Sequence, residues 1–346
     1  VPDTGGVAVP VPDGAAVVAG PAAVDLSARG LRGLVARVAD LLEDAGVPSP
    51  RVDAEALVAW SLGLPRLEWV RLPATGPVVD DAAAPAFLTE LADVVERRRA
   101  REPLQRIVGS AVFRHVTVRV LDDVFVPRPE TEVVAQLAVD EAARLLAGRG
   151  GTDAPGPLVV DLCCGSGVIG ISVDVEVPGA RVVAVDASEA AVRATAANAA
   201  AVGSGTQRTL VGDVRDDALL AELDGTVDVV VANPPYIPPD AVPRDPEVRD
   251  HDPDLALYGG GADGLEVPRA VVRAASRLLV PGGLFVMEHA EVQAAAVRGA
   301  LTGTGAFGDV RTVDDLTGRA RAVVARRTTG TNQTNPRTAT TDGVGD

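Results

Sequence analysis

The residues of this chain best suited to chemistry are Asn233-Pro234-Pro235-Tyr236. They follow Val227-Asp228-Val229-Val230-Val231-Ala232, an apolar run bounded by turn formers that reads as a buried strand. The carboxyl end of such a strand is where open α/β sheets bind ligands. A proline pushes the residue before it toward extended geometry, so Asn233 and Pro234 are both expected to be splayed open. The prolines also remove backbone N–H groups, leaving carbonyl oxygens with few competing donors. Asn233 adds a side-chain carbonyl. Two convergent acceptors match a planar –NH2, which has two hydrogens to give, and Tyr236 offers a flat face for stacking. The pattern fits an amide or an aromatic amine. Taken alone it is equally a turn that closes a strand, so other loops must decide.

A second group of residues lies earlier, in Asp161-Leu162-Cys163-Cys164-Gly165-Ser166-Gly167-Val168-Ile169-Gly170. Glycines there let the backbone bend sharply and come close to a ligand. The formal G-x-G-x-x-G makes a dinucleotide site one candidate. The next strand ends in Asp186, whose carboxylate can accept both hydroxyls of a ribose, as in NAD and S-adenosylmethionine proteins alike. Two details separate these cofactors. Asp161, just ahead of the loop, is a poor neighbour for a pyrophosphate but suits a sulfonium or an ammonium. Gly212-Asp213, after the third strand, sets another carboxylate near an adenine amino group. With the Asn233 turn after the fourth strand, where an acceptor amine would meet a methyl, the four loops together favour S-adenosylmethionine.

Such loops need a sheet to hold them. Strands are expected at Leu158–Leu162, Arg181–Val185, Arg208–Val211, Val227–Ala232, Gly283–Glu288, Asp309–Val313 and Ala320–Ala325, with helices between. This alternation predicts an α/β fold with a parallel sheet covered on both faces, antiparallel strands being admissible at its end. Ahead of it, Gln105–Val108 and Val112–Val126 carry the alternation Val116, Val118, Val120, which reads as a β-hairpin. Pro127-Arg128-Pro129-Glu130-Thr131-Glu132 then opens a helix, its proline and acids suited to a helix N-terminus. The same segment can serve as a lid, with Arg128 and the backbone facing a ligand.

Three helical patterns come first. Leu31, Leu34, Val35, Val38, Leu41 and Leu42 recur at helical spacing up to Gly46. Ser49-Pro50 is expected to cap and open a second helix ending near Gly63. A third runs from about Asp81 with Phe87, Leu88, Leu91, Val94 and Val95 on one face. It ends in Arg97-Arg98-Arg99-Ala100-Arg101, a basic cluster expected to complement the helix dipole and lie in solvent. The division expected is a disordered leader at 1–25, a helical substrate-recognition domain at 26–102, a β-hairpin linker at 103–129, a methyltransferase domain at 130–327 and a disordered tail at 328–346.

The totals narrow the function further. The chain has 346 residues, 47% hydrophobic but only 3% aromatic, so its core must be mostly Val, Leu and Ala. No run is apolar enough to span a bilayer, and the first residues lack a basic signal region. The two cysteines are adjacent, which makes no disulfide framework and fits a reducing cytoplasm. Three histidines without Cys/His spacing predict no metal site. A net charge of −16 argues against tracking a nucleic-acid backbone. The oligomeric state is not written in the sequence, and a monomer is the working expectation.

From about residue 27 to 327 the chain resembles the protein glutamine N5-methyltransferases that modify peptide chain release factors. The resemblance rests on Glu102-Pro103-Leu104 with Ile107-Val108-Gly109, Phe113, and Val126-Pro127-Arg128-Pro129-Glu130-Thr131-Glu132. It continues through the Asp161 loop, Asp186, Asn233 to Pro238, Glu247-Val248, His251-Asp252-Pro253 with Leu255-Ala256-Leu257, Gly259-Gly260, Asp263-Gly264, Pro281-Gly282-Gly283 and Asp315 to Arg319. It implies a seven-stranded Rossmann-like methyltransferase domain with S-adenosylmethionine as methyl donor. The implied substrate is the glutamine of the Gly-Gly-Gln loop of a release factor. By position, Cys163, Cys164, Gly165, Ser166 and Gly167 would line the donor's amino-acid end. Asp186 would hold ribose, and Asp213 with Val214 would flank adenine. Asn233, Pro234, Pro235 and Tyr236 would hold the glutamine amide, with Asn233 Oδ1 and the Pro234 carbonyl each accepting one hydrogen.

The sequence also departs from the family. Cys163 replaces the loop's usual first glycine, which is tolerable only at negative φ. His289 follows Glu288 where an apolar residue is usual, and Tyr258 and Gly261 vary a loop that can touch the protein substrate. Alternative readings are an amino-methyltransferase acting on a nucleic-acid base or another protein glutamine, an NAD oxidoreductase, and an inert binding module. The first lacks a basic, aromatic-interleaved domain. The second leaves Asn233 to Tyr236 without a purpose, and the intact Asn233 turn argues against the third.

Overall fold

A computed structural model of the chain describes residues 26, 30–67, 84–149, 155–203 and 205–329. The expected leader, the start of the third helix near Asp81 and residues 330–346 of the expected tail lie outside these. The chain forms two compact units that divide between Arg101 and Glu102.

The first unit holds α1 (Gly30–Asp44), α2 (Pro50–Ser61) and α3 (Ala84–Arg99). Leu31, Leu34, Val35, Val38 and Leu42 are the buried stripe of α1; Ala54, Leu57 and Val58 serve for α2, and Phe87, Leu91, Val94 and Val95 for α3. Two expectations need correction. Ser49 makes no side-chain cap hydrogen bond, so α2 is opened by Pro50, whose fixed φ suits the first turn. The basic cluster is not simply solvated: Arg98 is 5% exposed and its Nε donates to Asp53 Oδ2 of α2 at 2.7 Å. The reason is helical periodicity, since Arg98 stands three and four residues after Val95 and Val94 and so shares their inward face.

The second unit begins with α4 (Leu104–Val108), a short helix where the hairpin pattern had been extended backward. The hairpin itself is β1 (Ser110–Phe113) against β2 (Val116–Arg119), antiparallel. Then follow α5 (Glu132–Gly148), β3 (Leu158–Leu162), α6 (Val168–Glu176), β4 (Arg181–Asp186), α7 (Glu189–Val202), β5 (Arg208–Val211) and β6 (Val227–Ala232). The chain continues through α8 (Pro246–Arg249), α9 (Asp254–Leu257), α10 (Glu266–Leu278), β7 (Leu279–Glu288), α11 (Ala294–Gly303), β8 (Phe307–Asp314) and β9 (Ala320–Arg327). The last three strands run longer than their sequence patterns, because pairs such as Val227↔Leu279 and Phe307↔Arg327 extend the ladders past the expected ends.

The seven-stranded sheet has the order β5-β4-β3-β6-β7-β9-β8. The first five in that order are parallel, and β9 is antiparallel to both β7 and β8. One face packs Val160, Leu162, Val230, Phe285 and Met287 against Val271, Ala275 and Leu278 of α10 and Leu301 of α11. The other packs Val159, Val229, Val231 and Val286 against Val134, Ala138 and Ala142 of α5 and Ile171 of α6. The hairpin residues Phe113, Val116 and Val118 join this second core. Polar ties fasten the hairpin too: Arg114 Nε and Nη2 donate to Glu176 of α6, both at 2.7 Å.

The order has a consequence for function. From β3 the chain builds outward through β4 and β5, then returns to place β6 on the other side of β3. Loops after β3 and β6 therefore leave in opposite directions and open a crevice.

Arg98→Ala would leave Asp53 buried without this partner. The expected cost is about 3–5 kcal/mol, measurable by denaturant unfolding of the variant against the parent chain.

Candidate active site

Strand register sets the site. Leu162 pairs with Ala232, and Ala232 with Met287. The next residues, Cys163, Asn233 and Glu288, therefore emerge side by side at the carboxyl ends of β3, β6 and β7.

The loop after β3 is tied to β4. Cys164 N–H donates to the Val185 carbonyl at 3.1 Å and Gly165 N–H to Asp186 Oδ2 at 2.9 Å. Ser188 N–H donates to the other Asp186 oxygen at 2.9 Å. Burial raises the Asp186 pKa and these backbone donors oppose it. Each carboxylate oxygen keeps capacity for a further donor. Thr195 Oγ1 of α7 donates to the Gly165 carbonyl at 3.0 Å, and Asn198 Nδ2 to the Ser166 carbonyl at 3.1 Å. Asn198 Oδ1 accepts from Arg119 N–H at 2.9 Å, so one side chain joins the loop to β2. Gly167, at φ +85°, closes on α7: a Cβ there would lie 2.7 Å from Thr195 Cγ2.

Cys163 corrects an expectation. Its φ is +61°, in the left-handed region, where negative φ had been required. The loop's hydrogen bonds on either side dictate the backbone path, and the cysteine follows it at about 1–2 kcal/mol. Burial first, then the Asp186 and Asp161 charges, push both the Cys163 and Cys164 thiols well up, so neither is a thiolate.

Asp161 is fully buried. Its Oδ2 accepts from Gly170 N–H at 3.0 Å, while Oδ1 has no hydrogen-bond partner among the described residues. Burial pushes its pKa up to about 7. An orphaned carboxylate oxygen behind a glycine loop is matched by a cationic group, which would hold Asp161 ionised. The loop residues thus fit S-adenosylmethionine, whose amino-acid end carries an ammonium. Asp213 and Val214 follow β5 beside this loop, with Gly212 N–H donating to the Asp186 carbonyl at 2.9 Å. Both Asp213 oxygens accept from the Arg215 guanidinium, at 2.6 to 3.0 Å, so an adenine amine would share that carboxylate. The Val214 side chain belongs to the sheet's core.

The Asn233 turn is held from three sides. Thr131, from the 3-10 turn Pro129–Thr131 ahead of α5, donates through Oγ1 to Glu288 Oε2 at 2.8 Å. Asn233 Nδ2 donates to Thr131 Oγ1 at 3.1 Å. Tyr236 Oη donates to Glu288 Oε1 at 3.3 Å, and burial with the neighbouring Glu288 charge raises its phenol pKa. Gln293 Nε2 donates to the Tyr236 carbonyl at 2.8 Å. Asn233 Oδ1 receives no donor among the described residues.

Behind the turn runs the loop 258–264. Ile237 N–H donates to the Leu257 carbonyl at 2.9 Å and Gly259 N–H to the Ile237 carbonyl at 3.0 Å. A Cβ on Gly259 would lie 2.6 Å from the Pro235 carbonyl oxygen, and one on Gly264 would overlap the Tyr236 carbonyl and lie 2.7 Å from Pro238 N. The varied loop thus buttresses the turn through its backbone. Arg128 does not point a free charge at the crevice: it pairs with buried Asp252 and covers the Phe125 ring at 5.1 Å. The lid segment and the His251-Asp252-Pro253 stretch are therefore fastened to each other.

Sequence reasoning gave Thr131, Glu288 and Gln293 no role at the site. Their signal was present for Glu288 alone, an acid ending a strand that neighbours β6. Thr131 and Gln293 arrive from elements whose docking no local pattern records.

Residues 34–109 match the PrmC N-terminal domain model and residues 128–244 the methyltransferase small domain model. A release factor glutamine methyltransferase of Streptomyces coelicolor is 45% identical over 296 residues, spanning 85% of this chain and 96% of its own. One from Mycolicibacterium smegmatis is 42% identical, spanning 86% and 98%. A 4-amino-L-phenylalanine/4-methylamino-L-phenylalanine methyltransferase of Streptomyces pristinaespiralis is 46% identical over 211 residues, spanning 61% of this chain and 69% of its own.

Gly264→Ala is expected to lose activity and stability together, since its Cβ meets backbone on the turn itself. Gly225→Ala, at φ +64° with nothing within 4 Å, should cost only the backbone penalty of about 1–2 kcal/mol. Thermal unfolding and turnover of the two variants check this.

Proposed function

This chain belongs to the release factor glutamine methyltransferase family, and on that premise we propose that it methylates N5 of the glutamine in the Gly-Gly-Gln loop of peptide chain release factors, using S-adenosylmethionine. The observation that carries the reading is the Asn233 turn, whose Nδ2 is spent on Thr131 while Oδ1 stands without a donor among the described residues. An acceptor so placed suits the –NH2 of a primary amide.

S-adenosylmethionine, when bound, supplies an electrophilic methyl on a sulfonium. The residues suited to hold it are Cys163 to Gly167 and Asp161 at the amino-acid end, Asp186 at the ribose, and Asp213 with Val214 at the adenine. Asn233 Oδ1 and the Pro234 carbonyl each accept one hydrogen of the substrate amide, which fixes its plane and aims the nitrogen. Tyr236, anchored through Oη to Glu288, borders the same position. An amide nitrogen is a weak nucleophile because its lone pair is delocalised, and the chain contains no lysine to serve as base. Alignment is therefore the main resource, worth up to ~7–11 kcal/mol in favourable cases. The proton leaves after the nitrogen has gained its methyl.

The substrate class follows from coverage and charge. The release factor enzymes align with 85–86% of this chain, the aminophenylalanine enzyme with 61%. A net charge of −16 disfavours a nucleic-acid substrate. The helical unit ahead of residue 102 is read as the grip on the release factor, since a loop glutamine alone offers little surface. The place of action is the cytoplasm, which suits two unpaired cysteines.

Release factor incubated with enzyme and S-adenosylmethionine should gain one methyl on the loop glutamine, read by mass spectrometry; an unmodified glutamine refutes the proposal. Asn233→Ala should lower turnover by about 10²-fold or more with methyl-donor affinity preserved. Asp186→Ala should instead weaken donor binding by at least about tenfold in calorimetry.

A further inference from the structure

The amide of Asn233 can present either end to the crevice, and only one end can accept a hydrogen. Its orientation depends on what Thr131 offers it. A hydroxyl has a single hydrogen to donate. Thr131 Oγ1 stands 2.8 Å from Glu288 Oε2 and 3.1 Å from the Asn233 amide, so that hydrogen can go to one neighbour or the other. Tyr236 Oη meets the second carboxylate oxygen at 3.3 Å. The three contacts form one connected set, with Thr131 and Glu288 both nearly inaccessible.

We propose that Thr131 and Glu288 are positioning residues that set which end of the Asn233 amide faces the substrate. Ionised Glu288 has only acceptors. It takes the Thr131 hydrogen on Oε2 and the Tyr236 hydrogen on Oε1, and Thr131 oxygen is left as an acceptor. Asn233 can then meet Thr131 only through Nδ2, which leaves Oδ1 for the incoming –NH2. Protonated Glu288 reverses this. A proton on Oε2 donates to Thr131, the Thr131 hydrogen is released toward Asn233, and the amide can turn. Nδ2 then faces a substrate that itself brings two donors, and the match is lost. The inference deepens the glutamine-methylation reading and rests on it.

Several groups act on Glu288. Burial raises its pKa most; the Thr131 hydrogen bond, the Arg321 charge and the Tyr236 hydrogen bond lower it, and Glu130 raises it, leaving it at about 7. Arg321 is itself bonded to Asp315 Oδ2 at 3.0 and 3.2 Å. His289, next in the chain, is buried, and burial lowers its pKa. Because ionised Glu288 is the competent form, activity falls as pH drops through this range and is complete above it.

Turnover of the full chain on release factor is the first measurement. Thr131→Val keeps the shape and removes the hydroxyl, and kcat should fall by about 10²-fold with methyl-donor affinity unchanged. Thr131→Ser should retain most of the wild-type rate. Glu288→Gln, whose amide does not titrate and offers one acceptor and one donor where the carboxylate offers two acceptors, should lower kcat and abolish the acid limb of its pH profile. A second measurement needs no methyl transfer. With S-adenosylhomocysteine present, wild type should prefer a Gly-Gly-Gln peptide over a Gly-Gly-Glu peptide, and Thr131→Val and Glu288→Gln should narrow that preference by about tenfold. Wild-type kcat in Thr131→Val, a Thr131→Ser variant as impaired as Thr131→Val, an acid limb kept in Glu288→Gln, or an unchanged peptide preference would each overturn the inference. If wild type fails to methylate release factor, the function is refuted, while the peptide preference still tests the two positioning residues.

Discussion

The lateral register of three parallel strands is the constraint on which the site depends. Leu162, Ala232 and Met287 are neighbours across the sheet, so the residues after them leave the sheet in a row. The cofactor loop, the Asn233 turn and Glu288 owe their proximity to that row and not to any closeness in sequence. A slip of two residues in β6 would keep its apolar faces inward yet move Asn233 about 7 Å from its partners. Register is pinned because β6 is covered on both faces, by α10 on one and α5 on the other.

A second constraint is the handling of buried carboxylates. Asp161, Asp252 and Glu288 sit where burial works against their charge. They are not neutralised alike. Asp252 has Arg128 on one oxygen; Glu288 has two hydroxyls; Asp161 has one backbone N–H and no cation, and among the described residues Asp161 and Asp252 each keep one oxygen without a partner. Buried polar groups without partners are costly, and an unpartnered one at a ligand loop is consistent with a partner that arrives with the ligand. Structural carboxylates elsewhere are treated differently: for Glu141 burial is outweighed by Arg144 and Arg326, which hold its pKa at about 2. That ion pair fastens α5 to β9 and has no part in the crevice.

Much of this architecture could be read in advance. Strand β6 and the turn after it were legible because an unbroken apolar run ending in Asn-Pro-Pro-Tyr has few other uses. The alternation of strands and helices gave the parallel sheet, and Asp186 stands at the end of its strand, where the apolar pattern puts it. The misreadings have physical causes. Arg98 was assigned to solvent by its residue type, although its spacing from Val94 and Val95 put it inside. Cys163 was expected at negative φ because side chains avoid the left-handed region, yet hydrogen bonds from Cys164 and Gly165 to β4 fix the path of the loop.

Residue type, periodicity and turn chemistry act over a few positions, and they were enough to locate the seven strands of the sheet, the long helices, the glycine loop and an acceptor-rich turn. Which end of the Asn233 amide is free is another matter. It depends on Thr131 from 102 residues away and Glu288 from the next strand. A hydrogen bond carries no record in sequence spacing when its partners are brought together by sheet order and helix docking, so only the tertiary structure could decide it.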